Sequence, residues 1–338
     1  MNDSFSIMKT AFGFWESKVL LTAVEMDLFT MLGSGSMTGR EIERKLSLHP
    51  RGTYDFLDAL VSMGFLDRDG DGPEGRYKNT ESTRRYLDKN GDTYLGGILE
   101  MLNTRLFKYW DDLPEALRTG KPQNEIKHSR KPLFEELYAD LPRLEQFMGA
   151  MTGLSAQNFI ALAQKFDFSR YRTLCDVGGA SGILSISVAK KHTNLACTSF
   201  DLPVVEPIAK RSIERAGLSD RIKTASGDFF NDPLPRADVI TMGMILHDWN
   251  LERKKQLIRS AYEALPPKGA FIAVENIIDD ARRENTFGLL MSLNMLIEFG
   301  DAFDFTGADF REWCGEAGFR EFELIHLKGP CSAAIAYK

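Results

Sequence analysis

The chain has 338 residues, 43% of them hydrophobic, which is enough for ordinary cores and longer than one compact domain usually runs, so two domains are expected. A formal net charge of -6 excludes the broadly basic surface that draws in nucleic acid or anionic lipid, leaving a small molecule as the expected partner. The opening residues carry no basic segment followed by a long apolar run, no window nears the roughly 18 apolar residues of a membrane span, and Cys175, Cys197, Cys314 and Cys331 are too scattered for a zinc site; a reduced, cytoplasmic protein with no membrane attachment is expected.

Residues 1–165 read as mainly helical. In SKVLLTAVEMDLFTML, Leu20, Val24, Leu28 and Met31 recur at helical spacing and predict a helix of about 12 or more residues. MTGREIERKL and HPRGTYDFLDALVSMGFL predict two further short helices, each beginning near a polar or proline break. Residues 65–68 and 76–79 flank DGDGPEG, which is dense in residues that tolerate turns, and predict a hairpin. Three helices and a hairpin are the order of a winged helix, a scaffold used for DNA reading and for dimerisation alike. Two more helical stretches, about 92–119 and 133–164, carry Met101, Phe107, Trp110, Phe147, Met148 and Met151. Helical spacing alone predicts core contacts for most of these and pocket lining for a minority.

From Tyr171 the pattern changes. TLCDVG, ACTSFD, RIKTAS, VITMGMIL and AFIAVEN are short apolar runs that alternate with helical segments such as GILSISVAKKH and LERKKQLIRSAYEAL. The alternation predicts an α/β domain over 166–338 built on a parallel, doubly wound, Rossmann-like sheet, preceded by a mostly helical winged-helix domain over 1–165.

DVGGASG lies between the first of these strands and a helix starting near Ile183, where open α/β sheets bind ligands. Gly178, Gly179 and Gly182 allow a sharp turn and a close ligand approach, but Ala180 and Ile183 stand where a dinucleotide fingerprint wants glycine. Asp201 ends the next strand in SFDLP, at the distance where a carboxylate binds the ribose hydroxyls of an adenosine ligand. After the third strand comes GDFF, with Asp228 to accept from an adenine amine and Phe229 to pack on the ring. Singly, either acid reads equally well as a helix or turn cap; together the three strand ends outline one adenosine-sized site.

VITMGMIL runs into HDWN, which puts His247 on the same rim, in an exposed turn before a helix that Asn250 caps. A histidine with a pKa near 6.5 suits the task of taking a phenol's proton as the oxygen attacks a donor methyl. It works better with a carboxylate to fix its tautomer, and Glu275 in FIAVEN and Asp304 in FGDAFDFTGADF are the candidates. Asp248 and Trp249 read as helix capping and packing, outside the catalytic set.

These segments, DVGGASG, SFDLP, GDFF, LHDW and the strand-end Glu275, with the winged-helix region before them, resemble the caffeic-acid-type O-methyltransferases over nearly the whole chain. Members of that family methylate small aromatic and polyketide-like molecules. The resemblance implies S-adenosylmethionine held by Asp176, Gly178, Gly179, Gly182, Asp201, Leu202, Asp228, Phe229 and Met242. It implies His247 as general base flanked by Glu275 and Asp304, with Phe147, Met151, Met291, Asn294 and Met295 facing a small aromatic acceptor. An interlocked homodimer follows from the same likeness. Asp304 stands where the family carries a glutamate in a GxERT-like stretch, one methylene longer and followed by an arginine. Gly243 and Met244 occupy the place of a lysine that often touches cofactor.

Methyl transfer to a phenolic or enolic oxygen is therefore the leading reading, with no metal required, because histidines and acids do not cluster at clear ligand spacing; iron held by His247 with nearby acids is the alternative on this point. A same-fold enzyme that methylates carbon or nitrogen, or keeps the cofactor for hydroxylation or decarboxylation, is the second. A DNA-binding regulator is the third; Asp55 and Asp58 in the expected recognition helix stand against it.

Overall fold

In the computed structural model, which describes residues 4–91, 93–129 and 141–338, the chain divides into two units, Met1–Lys108 and Tyr109–Lys338. The division falls earlier than residue 165, because the segment after 108 packs with the C-terminal unit. The Gln123 amide donates to the Ile297 carbonyl (2.8 Å) and the Asn124 side chain to the Glu298 carbonyl (2.9 Å). The helix Leu141–Lys165 lays Phe159 and Leu162 into the core of the large sheet. The first residues of the helical stretch expected over 133–164, 133–140, lie outside the described residues.

In the first unit the expected helix is two. Asp27 takes a left-handed conformation (φ 55°) and separates Ser4–Glu25 from Leu28–Leu32, so that Val24 and Leu28 both turn into a core with Phe29, Ile42, Leu57 and Leu60. Strand β1 (Ser36–Thr38) leads into the helix Gly39–Leu46, where Thr38 and Glu41 form a reciprocal capping box. Pro50 then opens the helix Pro50–Ser62. The expected hairpin forms as β2 (Leu66–Asp69) and β3 (Arg76–Asn79), and β1 adds to its far side, giving the antiparallel order β1-β3-β2. A three-residue strand is too short to show alternation, which is why β1 is hidden at the head of a helical pattern.

The second unit holds a seven-stranded sheet: β4 (Thr173–Val177), β5 (Ala196–Asp201), β6 (Ile222–Ser226), β7 (Val239–Gly243), β8 (Ala270–Glu275), β9 (Glu321–His326) and β10 (Ser332–Tyr337), in the order β6-β5-β4-β7-β8-β10-β9. Alternate residues serve opposite faces. Leu174, Val239, Ile272 and Ile335 pack under the helices Ile183–Lys191 and Glu206–Arg215, while Cys175, Ile240, Phe271 and Ala334 pack under Leu251–Ala264 and Gly307–Ala317. The first five strands are parallel as expected, but the sheet is mixed: β10 runs antiparallel to both β8 and β9. Five residues link β9 to β10, too few for a crossover, so the pair closes as a hairpin. No helix among the described residues is long and apolar enough to cross a membrane.

Candidate active site

The site forms where the parallel strands end. After β4 the chain turns tightly enough that a Cβ on Gly178 would lie 2.4 Å from Ile245 Cδ1, and one on Gly179 would lie 2.3 Å from Ser199 Oγ. Gly178 also takes a left-handed φ of 69°, which favours glycine, while at Gly179 an added Cβ would require the Ser199 hydroxyl to move. The Gly178 and Gly179 amides donate to the Phe200 carbonyl (2.9 and 3.2 Å), and the Ala180 amide donates to Asp201 Oδ2 (2.8 Å), which pins the loop to the end of β5. The other Asp201 oxygen accepts from the Leu202 amide (2.7 Å). Each of its oxygens keeps a lone pair for a ligand hydroxyl. Burial raises the Asp201 carboxyl above its ordinary range.

Asp176 lies beneath this loop. Its Oδ1 accepts from the Thr241 hydroxyl (3.0 Å), while the buried Oδ2 has no hydrogen-bond partner among the described residues. Burial pushes this carboxyl up to about 7. An orphaned carboxylate oxygen under a glycine cradle, with a second carboxylate at the next strand end, fits a donor that carries both positive charge and a ribose.

Asp228 and Phe229 follow β6. Asp228 spends one oxygen on the Phe230 amide (2.9 Å) and the other on the Asn231 side chain (2.6 Å), shaping its own turn. Phe229 reaches the glycine loop, its ring edge 3.9 Å from where a Gly178 Cβ would sit. Met242 is placed otherwise than expected. It is fully buried in the sheet core with Cys175, Val177 and Ile240, because its position in β7 turns it inward; Ile245, three residues on, is the side chain that lies over Gly178. Phe147, Leu202 and Ala180 pack against one small cluster built on Leu144, Met148, Val205 and Ile208, and Met151, half-buried, is one helical turn past Phe147.

After β7, Met244 takes a positive φ (58°) and the chain enters the short turn Leu246–Asp248. His247 in that turn is 6% exposed rather than open to solvent, because the helix Thr286–Phe299 packs over the turn. Its Nδ1 lies 2.5 Å from Glu275 Oε2 and its Nε2 lies 3.2 Å from Asp248 Oδ1. Glu275 is itself held: Oε1 accepts the Ile245 and Leu246 amides (3.1 and 2.8 Å). Burial works against the imidazolium, yet the Glu275 and then the Asp248 carboxylates outweigh it and hold His247 well above the ordinary imidazole pKa.

Asp304 completes the cluster, with donor atoms of His247, Glu275 and Asp304 all within 4.8 Å of one another. The three side chains therefore lie as close together as the ligands of a cation would, although the Glu275 oxygens already accept ring and backbone N–H groups. Both Asp304 carboxyl oxygens are buried without a partner among the described residues, and burial pushes this acid up to about 7. Its amide donates to Ser292 Oγ (3.2 Å) on the helix that also carries Met291, Asn294 and Met295. Met291 and Asn294 are half-buried and Met295 is buried, while Trp110 Nε1 donates to Asn294 Oδ1 (3.1 Å).

Two neighbours of the cluster escaped the sequence reading. Asp248 reads as a cap, but its contact is with His247. Lys254 is fully buried, and the signal was present: it shares the apolar stripe of Leu257, Ile258 and Ala261.

Comparison with known proteins agrees with this geometry. A family model described as an O-methyltransferase domain matches residues 110–320, and one described as an O-methyltransferase dimerisation domain matches residues 8–89. The chain is 38% identical to the tetracenomycin polyketide synthesis 8-O-methyl transferase TcmO of Streptomyces glaucescens, over 98% of this chain and 96% of that one. It is 32% identical to the 3-hydroxy-5-methyl-1-naphthoate 3-O-methyltransferase of Streptomyces sahachiroi, over 95% and 90%. The crystal structure of human N-acetylserotonin methyltransferase in complex with S-adenosylmethionine superposes with a TM-score of 0.91 at 28% identity, covering 100% of this chain and 98% of that one. The glycine cradle, the strand-end acids and the histidine cluster thus stand in a chain that belongs to the S-adenosylmethionine-dependent O-methyltransferases with an N-terminal dimerisation domain.

Proposed function

We propose that this enzyme methylates a phenolic hydroxyl of a small polyketide-like aromatic acceptor, with His247 as general base. The observation that carries the reading is the 2.5 Å contact of His247 Nδ1 with Glu275, a carboxylate already fixed by two backbone amides. When bound, S-adenosylmethionine supplies an electrophilic methyl group on a positively charged sulfur. Asp201 holds the ribose, Asp176 faces positive charge and Phe229 packs the base. Glu275 keeps the proton on Nδ1, so that Nε2 is the face that takes the acceptor's proton. The acceptor hydroxyl displaces Asp248 from Nε2, and its oxygen becomes nucleophilic as the proton passes to the imidazole. Asp304, carrying its own proton near neutral pH, donates to an acceptor oxygen beside the reacting one. Met291, Asn294 and Met295, on the helix that covers the His247 turn, line the acceptor side; Met151 and Phe147 line the donor side.

The same proposal includes a homodimer working in the cytoplasm, with no nucleic acid as partner. Asp55 and Asp58 in the helix Pro50–Ser62 pair with Arg51 and Arg68, which supports it by removing free cations from that helix face. The test is transfer of a labelled methyl group to a panel of hydroxylated aromatics. Wild-type activity with a loss of roughly 100-fold or more in His247→Ala is expected; full activity in that variant overturns the base assignment.

A further inference from the structure

The helix Leu251–Ala264 buries Leu257, Ile258 and Ala261 against the sheet, and Lys254 lies on that same face with no exposed surface. A buried ammonium is costly unless its surroundings answer its charge. Its Nζ donates to the Trp249 carbonyl, two residues from His247. It also lies 3.7 Å from the centroid of the Phe303 ring, next to Asp304. The two segments that carry the base and the orphaned acid therefore meet on one side chain. A second tie runs between them, from the Asn250 side-chain amide to Asp301 Oδ2 (2.8 Å).

We propose that Lys254 is a positioning residue for methyl transfer, clamping the His247 turn to the Asp304 loop and balancing the negative charge around the base. The inference rests on the reading of His247 as base. The charged groups that bear on the ammonium are Glu275 at the end of β8, Asp248 in the turn, and Asp301 and Asp304 in the loop, all carboxyls. His247 is the other cationic group of the cluster. Burial pushes the Lys254 amine down to about 8, which leaves it charged at neutral pH. A clamp of this kind acts through electrostatics as well as packing: with its charge removed, the carboxyls act on the imidazolium unopposed and the His247 pKa rises.

The experiment compares wild type with Lys254→Met, which keeps the length of the side chain and removes the buried cation; because the carboxyls around it stay behind, the variant is measured below its own melting temperature, and Phe303→Leu, which keeps the charge, is run beside it. The His247 imidazole is titrated by NMR with labelled histidine, and kcat/KM for methyl transfer is followed against pH. The expected result is a His247 pKa raised by about 1 unit, with the acid limb of kcat/KM raised alongside it. Phe303→Leu, which leaves the lysine but takes away the ring it rests on, should move both in the same direction by less. Superimposable titrations and profiles in the two variants overturn the proposal. A shifted His247 titration with an unshifted acid limb supports the clamp and refutes His247 as the base, so the two failures are told apart.

Discussion

His247 sits between two carboxylates that reach its two ring nitrogens, Glu275 on Nδ1 and Asp248 on Nε2, and both favour the protonated ring. A base must be neutral to act, so kcat/KM should climb with pH through a value above the ordinary imidazole range. Glu275→Gln tests the arrangement. The amide oxygen can still accept the Ile245 and Leu246 amides, which turns its NH2 toward Nδ1 and forces the proton onto Nε2, the wrong tautomer for a base. A fall in kcat of about 100-fold or more is expected, with the acid limb moving to lower pH because the carboxylate that raised it is gone. A slight loss with an unmoved limb would show that Glu275 only fills space. Asp176 offers a stability test of the opposite sign to most carboxyls. Its folded pKa is raised to about 7 from 3.8, so the folded state keeps a proton that the unfolded chain releases, and stability is lost as pH rises through 7. Asp176→Asn retains an acceptor for Thr241 and has no proton to lose. Urea unfolding should show the variant gaining on wild type from pH 4 to pH 8, by roughly 4 kcal/mol at the upper limit, while its affinity for the cationic donor falls. Parallel stability curves would refute the burial of an ionisable Asp176.

Among the elements, those read most easily from the sequence were the ones whose local pattern and tertiary role agree. The five parallel strands announce themselves as apolar runs, and Asn250 caps the helix after the HDW turn by accepting from the Arg253 amide. Strands β9 and β10 did not, because the outer strand β9 alternates only weakly between half-buried and exposed residues. Burial of His247 was also beyond the sequence: a turn before a capped helix is locally an exposed place, and only the packing of the helix Thr286–Phe299 above it closes it off. Met242 stands at a strand end as expected, but the side of the sheet it faces turns its side chain into the core, which strand position alone does not reveal. The glycine loop was readable as a ligand turn, but the reason for its strictness lies in neighbours far along the chain, Ser199 and Ile245. Gly179→Ala should accordingly displace Ser199 and the loop together, weakening S-adenosylmethionine binding by about 10-fold or more and lowering stability by roughly 1–3 kcal/mol. Calorimetric titration and melting measure both; unchanged affinity would mean that the loop yields without moving the donor site.

At the scale of the whole molecule, the two units present different surfaces. The second buries the apolar faces of four helices against the two faces of one sheet and leaves its exposed large apolar residues spread over several helices, Leu117, Ile160 and Leu251 among them. The first does not: its helix Ser4–Glu25 leaves Phe5 75%, Ile7 63%, Phe14 56% and Trp15 56% exposed in the single chain. Scattered apolar residues on a surface mean little, but four large ones within twelve residues, with Met8 and Phe12 also exposed between them, concentrate uncovered apolar surface on one helix. A helix apolar on most of its sides is stable in water only when something covers it. This helix lies in the dimerisation domain, so a second copy of the chain is the proposed cover. Because Phe14 and Trp15 make little contact within their own chain, replacing both with glutamate should leave the fold and melting behaviour of the first unit's core intact. It should also bring two charges into the centre of the dimer contact, at a cost of several kcal/mol where they stay unpaired. Light scattering after size exclusion should then find wild type at twice the chain mass of 38.1 kDa and the double variant at or near that mass. A double variant that stays dimeric at micromolar concentration would place the interface on another face of the unit.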